Sequence, residues 1–399
     1  MLRHQLPVRS PVRMTGLARA AVAALAAAPP HSLESAVRAR WSAGAVVLTD
    51  SGTSALVLAL RLAMPRGGAV ALPAWGCPDL VAAAVRADAR VRLYDLDPCT
   101  LTPDLVSLEA ALSRGADAVV VVHYFGYPAD VPAVAALAER HGAVVIEDAA
   151  QGAGGELHGR TLGALAPLSV VSFGRGKGLS GGGGGALLAR GPWRDAVESL
   201  ALRRGGRGVR ELVSSAAIWL LGRPACYMLP ASLPWLRLGE TRYRAAGEPR
   251  GPSAAACALV ASALELEAAD VAGRRERAAR LSGTVRAGLI AVAPIGGAAP
   301  GYLRLAVRDV ESRRAPAPAL GVVRGYPAPL ASLPELAAVR LAGDGEMPGA
   351  DELSRTLLTL PTHAGVTDAD ARRIERCLAV GAPAPSRAGE WRRAVQTRA

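Results

Sequence analysis

Between residues 45 and 190, short apolar runs alternate with segments whose apolar positions recur every three or four residues. The runs at 46–48, 69–72, 91–95, 118–123, 144–147, 169–173 and 186–189 have the length and valine content of buried strands. The segments 54–63, 78–87 and 131–141 carry helical periodicity. Strands apolar on both faces and separated by helices predict an α/β fold, a mostly parallel sheet covered by helices. Ligands of such sheets sit beyond the strand ends, at loops and helix N-termini. After residue 200 the pattern changes to an Arg- and Pro-rich connector reaching residue 250. A helical stretch at 253–289, a short strand at 302–307, a Pro-rich segment and a last helix at 368–379 follow. This predicts a large domain over 1–250 that includes an N-terminal arm, a smaller C-terminal α+β domain over 251–381, and a frayed tail over 382–399.

Composition narrows the class. The 399 residues are 51% hydrophobic, enough for a substantial core, and the 44 glycines suit many tight turns. Cys77, Cys99, Cys226, Cys257 and Cys377 are scattered, odd in number and without a CxxC pair, so a reducing, cytoplasmic setting is expected. The Ala-rich stretch 16–28 resembles the apolar core of a secretion signal, but Arg19 interrupts it and a surface helix is the plainer reading. The apolar stretch 212–236 is broken by Arg223, Pro224, Pro230 and Pro234, which argues against a membrane span. It is expected to pack on a partner subunit or to touch a membrane surface. The formal charge of +12 lies in arginine clusters at Arg203, Arg204, Arg207 and Arg210 and at Arg274, Arg275, Arg277 and Arg280. Solvated surface and attraction of a nucleotide diphosphate are the two readings. Nucleic acid is not expected, because no aromatic residues interleave the arginines and no reader motif accompanies them.

Lys177 is the one lysine among 46 basic residues. Arginine can replace lysine wherever any cation will do, but its guanidinium stays protonated. A chemistry that needs a neutral amine to attack a carbonyl must keep lysine.

Three motifs could use that amine. In 50–60 (DSGTSALVLAL) a strand end runs through Ser-Gly-Thr-Ser into a helix, which makes either an anion pocket or an ordinary helix cap. In 144–151 (VVIEDAAQ) a buried strand ends in two carboxylates. Asp148 there could hold a proton on a ring nitrogen through an ion pair, with Glu147 pointing the other way. In 169–189 (SVVSFGRGKGLSGGGGGALLA) Lys177 follows Ser172 by five residues in a glycine-rich loop. Neither a Walker A loop nor a dinucleotide fingerprint fits that spacing. His123 reads as a hydrogen-bonded core histidine, and His4, His31, His141, His158 and His363 show no metal-ligand spacing; no metal is expected.

Taken in order, SGTSAL at Ser51, LPAWGC at Leu72, the D-x-D-P turn at Asp95, HYFGYPAD at His123, EDAAQ at Glu147 and SFGRGKGLSGGGGGALL at Ser172 resemble the DegT/StrS family of pyridoxal-phosphate-dependent sugar aminotransferases. Weaker echoes appear in LGETRY at Leu238 and ELSRTLLTLPTH at Glu352. The resemblance implies the aspartate-aminotransferase fold (fold type I) and pyridoxal 5'-phosphate (PLP) as cofactor. Lys177 would be the Schiff-base lysine and proton shuttle. Asp148 would pair with the pyridine nitrogen, Gln151 would contact the ring's phenolic oxygen, and Gly52, Thr53, Ser54 and Ser172 would hold the phosphate. Cys77 stands where the family has a ring-stacking aromatic residue, with Gly76 in place of threonine, so Cys77 or Trp75 would cover the ring. The Asn/Arg segment by which a neighbouring subunit completes the phosphate site is not recognisable near residues 241–250. The implied activity is transfer of an amino group from an amino acid, glutamate first, to a keto-sugar on a nucleotide carrier, in a homodimer. A PLP-dependent sugar dehydratase or lyase is one alternative. A non-catalytic basic binding protein on the same fold is another.

Overall fold

A computed structural model describes residues 4–29, 32–233, 241–283, 288–312 and 314–379. His31, Trp235, Leu238 and the expected tail lie outside the described residues. The large sheet contains β1 (Ala45–Thr49), β2 (Ala69–Pro73), β3 (Arg90–Tyr94), β4 (Ala118–Val122) and β5 (Val144–Asp148). A short hairpin, β6 (Glu156–Leu157) and β7 (Arg160–Thr161), precedes the last two of its strands, β8 (Leu168–Ser172) and β9 (Gly185–Ala189). The strand order is β1-β9-β8-β5-β4-β2-β3. The pairs β2/β3, β2/β4, β4/β5 and β5/β8 are parallel, and β9 alone runs against both its neighbours.

All seven expected strands are present, shifted by no more than a residue at most ends. Asp148 lies inside β5 despite its charge, because its backbone is in register with Val122 on one side and Val170 on the other. β2, β4 and β9 are buried along their whole length, as a sheet covered on both faces requires.

The small sheet is antiparallel: β10 (Leu289–Ala291), β12 (Arg304–Asp309), β14 (Leu357–Pro361) and β13 (Val323–Arg324), in that spatial order. β11 (Ala298–Ala299) instead extends the β6–β7 hairpin, tying the two parts of the chain together. The central strand β14 was not expected from periodicity: all five of its residues are apolar or buried, so no alternation marks it. The stretch expected to be one helix over 253–289 divides into Ala254–Leu264 and Glu267–Ser282, and Leu289 already belongs to β10.

Helix Ala254–Leu264 packs with the large layer. Its Cys257, Val260 and Ala263 share an apolar cluster with Trp41 and Phe173, while the separate core of the small sheet begins at Leu281. The Ala-rich stretch near the start is a helix, Met14–Ala26, whose Ala20 and Ala24 lie against Ala255 and Ala258. Alanines on both surfaces let the two helix backbones come close. Within 212–236 the chain forms helices Val209–Leu221 and Met228–Ala231. Among the described residues no helix is long and apolar enough to cross a membrane.

The two arginine clusters differ. Arg203, Arg204, Arg207 and Arg210 are exposed. In the second cluster Arg280 is exposed, while the other three arginines are structural, which neither expected reading foresaw. Arg274 is buried against Asp270 at 3.0 Å, Arg275 donates to the carbonyls of Gly154, Ala299 and Pro300, and Arg277 donates to that of Thr362.

Candidate active site

One cleft opens at the carboxyl ends of β4, β5 and β8, with Tyr326, just after β13, on its wall. Its floor is β5. Alternation along a strand sends adjacent side chains to opposite faces, and the two carboxylates separate accordingly. Glu147 turns away and is fully enclosed. It accepts hydrogen bonds from the N–H groups of Gly163 (2.6 Å), Leu165 (2.8 Å) and Ala166 (3.1 Å) and from the Ser169 hydroxyl (2.8 Å). The His123 Nε2 lies 2.9 Å from it. Burial would push the Glu147 carboxyl up, but these donors together hold it below the usual glutamate value. Because His123 Nδ1 accepts from the Ala129 N–H, its proton belongs on Nε2, facing Glu147. His123 is therefore the core histidine the sequence suggested.

Asp148 faces the cleft. Its carboxylate accepts from the Ala150 N–H at 2.9 Å. Burial raises its pKa, and attraction to Lys177 works against that rise. A desolvated carboxylate with one hydrogen bond and a nearby amine is poised to take a cationic partner.

Lys177 lines the same cleft. It sits in the loop between β8 and β9, whose antiparallel pairing makes the glycine-rich segment a long hairpin. The loop is pinned at its base by Phe173 N–H to Gly184 O and Gly181 N–H to Phe173 O. From the other side the Ser10 hydroxyl of the N-terminal arm donates to the Lys177 carbonyl. Gly178 must stay small, since a Cβ there would meet the Ala153 methyl at 2.6 Å.

Helix Gly52–Ala63 points its N-terminus into the cleft, and Gly52, Thr53 and Ser172 line it. A Cβ at Gly52 would lie 2.6 Å from Ser172 Cβ, so glycine is what lets the helix start reach the β8 end. Free N–H groups and the helix dipole at such a start favour an anion. Ser54, expected with them, does not line the cleft. Its N–H donates to the Ser51 hydroxyl oxygen, and the Ser51 hydroxyl in turn donates to Ser54 Oγ at 3.0 Å, so it closes the helix cap.

Gln151 and Cys77 are both on the wall. Burial first, then the Asp79 charge, pushes the Cys77 thiol up to about 12, so it stays a neutral, small apolar surface. Trp75, the other expected ring cover, is fully buried behind the wall. The aromatic residue at the cleft is Tyr326, just after β13 of the small sheet, which sequence reading missed. Its hydroxyl accepts from Gln151 Nε2 at 2.7 Å. Its ring packs edge-on against Trp75, centroids 4.9 Å apart, and the Trp75 indole N–H donates to its carbonyl. The signal was a tyrosine between Gly325 and Pro327 in a stretch dismissed as Pro-rich; a Cβ at Gly325 would strike the Trp75 ring at 2.7 Å.

The model of the DegT/DnrJ/EryC1/StrS aminotransferase family matches residues 29–211, the segment that supplies every cleft residue named above except Tyr326 and the arm. Among curated relatives, a UDP-N-acetyl-3-dehydro-alpha-D-glucosamine 3-aminotransferase of Acidithiobacillus ferrooxidans is 34% identical over 139 residues, 35% of this chain and 38% of that protein. An L-glutamine:2-deoxy-scyllo-inosose aminotransferase of Streptoalloteichus tenebrarius is 38% identical over 139 residues, 35% of this chain and 33% of that one. The chain thus spans about a third of the length of these curated relatives. The fold is shared over far more. AtS13 from Actinomadura melliaura superposes with a TM-score of 0.73 at 24% identity, covering 95% of this chain and 99% of that one. A DegT DnrJ EryC1 StrS aminotransferase from Brucella abortus superposes with a TM-score of 0.70 at 20% identity, covering 92% and 95%.

Proposed function

We propose that this protein is a PLP-dependent aminotransferase that carries an amino group from an amino acid, glutamate in the first instance, to a keto-sugar on a nucleotide carrier. The observation that carries this reading is the joint placement, in one cleft, of the chain's sole ε-amine, a desolvated carboxylate and the open N-terminus of a helix. These residue types fit the cofactor's three chemical handles. Gly52, Thr53 and Ser172 would hold the phosphate, with Ser54 supporting them through the cap; Asp148 would take the protonated ring nitrogen, Gln151 the phenolic oxygen, and Cys77 would lie beside the ring.

PLP, when bound, supplies a carbonyl that condenses with amines and a cationic ring that withdraws electrons from the carbon next to the donor's nitrogen. Lys177 would lift the proton from that carbon and return it elsewhere, which its position on a pinned but glycine-flanked loop allows. Asp148 would remain ionised and keep the ring nitrogen protonated. Gln151, fixed by Tyr326, would orient the ring edge. The free state of all five cysteines suits a reducing cytoplasm, and a homodimer is the expected assembly.

The test is the protein loaded with PLP and given glutamate, with and without a nucleotide-linked keto-sugar. Glutamate alone should release stoichiometric 2-oxoglutarate, and release should continue once the sugar is added. Sugar consumed with no 2-oxoglutarate formed would instead identify a dehydratase or lyase.

A further inference from the structure

Helix Val209–Leu221 is apolar on its outer side as well as its inner one. Its Leu212, Ala216 and Trp219 pack inward, against the cluster built by helices Met14–Ala26 and Ala254–Leu264. On the outside, at spacings of four, four and three residues, lie Val209, Val213, Ala217 and Leu220; both valines are 60% exposed and Leu220 is 53% exposed. Positions so spaced share one face of a helix, the face that a water-soluble protein ordinarily gives to charged residues. Helix Met14–Ala26 repeats the arrangement. Its Met14, Ala18, Val22 and Leu25 follow the same spacing and are exposed, Leu25 to 77%. The two helices are neighbours, and Met228 and Leu229 of the next short helix are exposed as well. The outward apolar residues are thus an ordered feature of adjoining helices, which marks an interaction surface.

The charge around this surface has one sign. From 200 to 233 the chain has five arginines, one glutamate and neither aspartate nor lysine. Arg203, Arg204 and Arg207 are exposed just before helix Val209–Leu221, and Arg210 is exposed in its first turn. Among the described residues these four form no ion pair. The one acid, Glu211, accepts from the Ser253 hydroxyl at 3.4 Å. Cations at the positive end of a helix work against its dipole, so the cluster does nothing for the helix itself. Helix Met14–Ala26 has no acidic residue, and its one charged side chain, Arg19, is paired with Glu265 at 2.7 Å. At the far end of Val209–Leu221, the exposed Arg223 lies over the Trp219 ring, 4.6 Å from its centroid. Arginine and tryptophan side chains of this kind suit a boundary between water and lipid.

We propose that helices Met14–Ala26 and Val209–Leu221 seat the protein on an anionic lipid surface, lying in its plane. The outward valine, leucine and methionine side chains would enter the acyl boundary, and the arginines would meet the headgroup phosphates. Apolar contact together with attraction of cations to acidic lipid is what such helices need to bind. A second copy of this chain is the other cover for the patch. A two-fold contact joins the same surface of both copies, so it would bring two unpaired arginine clusters to one interface with no carboxylate to separate them. A lipid surface supplies the opposite charge instead. The inner side of Val209–Leu221 rests on the glycine-rich loop that follows Lys177, where a Cβ at Gly182 would lie 2.7 Å from the Ser215 hydroxyl. A seated helix would therefore hold that loop close to the membrane. The proposal goes beyond the aminotransferase reading and does not depend on it.

The test sediments the full chain with vesicles of phosphatidylcholine alone and of phosphatidylcholine with phosphatidylglycerol, alongside light scattering for its mass in solution. Two variants alter exposed residues only, so both should fold. One combines Val213→Glu with Leu220→Glu; the other combines Arg203→Gln, Arg204→Gln, Arg207→Gln and Arg210→Gln. We expect the parent to sediment with the phosphatidylglycerol vesicles and to be released by added salt. Affinity should fall by about 10-fold or more in the glutamate variant and by about 100-fold or more in the glutamine variant, with the mass of each unchanged. A parent that stays in the supernatant overturns the proposal. Salt-insensitive binding to phosphatidylcholine alone, or binding undiminished in both variants, overturns it too. If the glutamate variant loses mass in solution while the parent ignores vesicles, the face belongs to a second copy and the proposal falls.

Discussion

Glu147 and Asp148 are neighbours in sequence with opposite electrostatic fates. Glu147 is saturated by donors and held ionised; Asp148 has one hydrogen bond and is raised by burial. Glu147→Gln places an amide N–H₂ against the backbone N–H donors of Gly163, Leu165 and Ala166, and should cost about 3 kcal/mol of stability. Asp148→Asn removes a charge whose burial is already unfavourable. It should change stability by less than about 1 kcal/mol, yet slow amino transfer by about 100-fold or more. Chemical denaturation and single-turnover transfer rates check both. Equal stability losses, or an unimpaired Asp148→Asn, would contradict the division of labour. At this scale the sequence was informative because strand alternation and residue type suffice to assign the two carboxylates. It failed at Ser54, where the same hydroxyl suits a ligand or a cap and only the hydrogen bonds decide, and at Tyr326, which comes to the site from far along the chain.

At the scale of elements, the strands and helices of the large sheet were legible because burial on both faces and amphipathic periodicity leave direct patterns. β14 was not, because its neighbours are defined by distant pairing with β12 and β13. The N-terminal arm gave no periodicity either, yet it bonds to loops beside the small sheet. Gln5 N–H donates to Ala319 O, and Gln5 Nε2 donates to Gly365 O at 3.2 Å. His363 Nε2 lies 2.9 Å from Leu6 O. Burial pulls the His363 pKa from 6.5 down to about 4, with Arg9 and Arg277 adding to the effect. The folded chain thus binds this proton less readily than the unfolded chain. Stability is complete above the unfolded value near 6.5 and declines as pH falls toward 4, by about 3 kcal/mol in all. His363→Gln should flatten that part of the stability–pH curve, measured by urea denaturation between the two values; an unchanged slope would show that the arm does not depend on a neutral His363.

Over the whole molecule, the large sheet, the hairpin loop and Tyr326 converge on one cleft, and the arm reaches the same loop through Ser10. The family resemblance supplied this architecture in outline. It could not supply the contact of Gln151 with Tyr326, which depends on where the large and small sheets meet. The central claim is that Lys177 carries the cofactor. Because it is the chain's only lysine, borohydride reduction of the PLP-loaded protein followed by peptide mass spectrometry gives an unambiguous answer. The account predicts one stable pyridoxyl adduct, on the peptide that contains Lys177, and none in Lys177→Ala. An unlabelled Lys177, or equal labelling of the alanine variant, would contradict it.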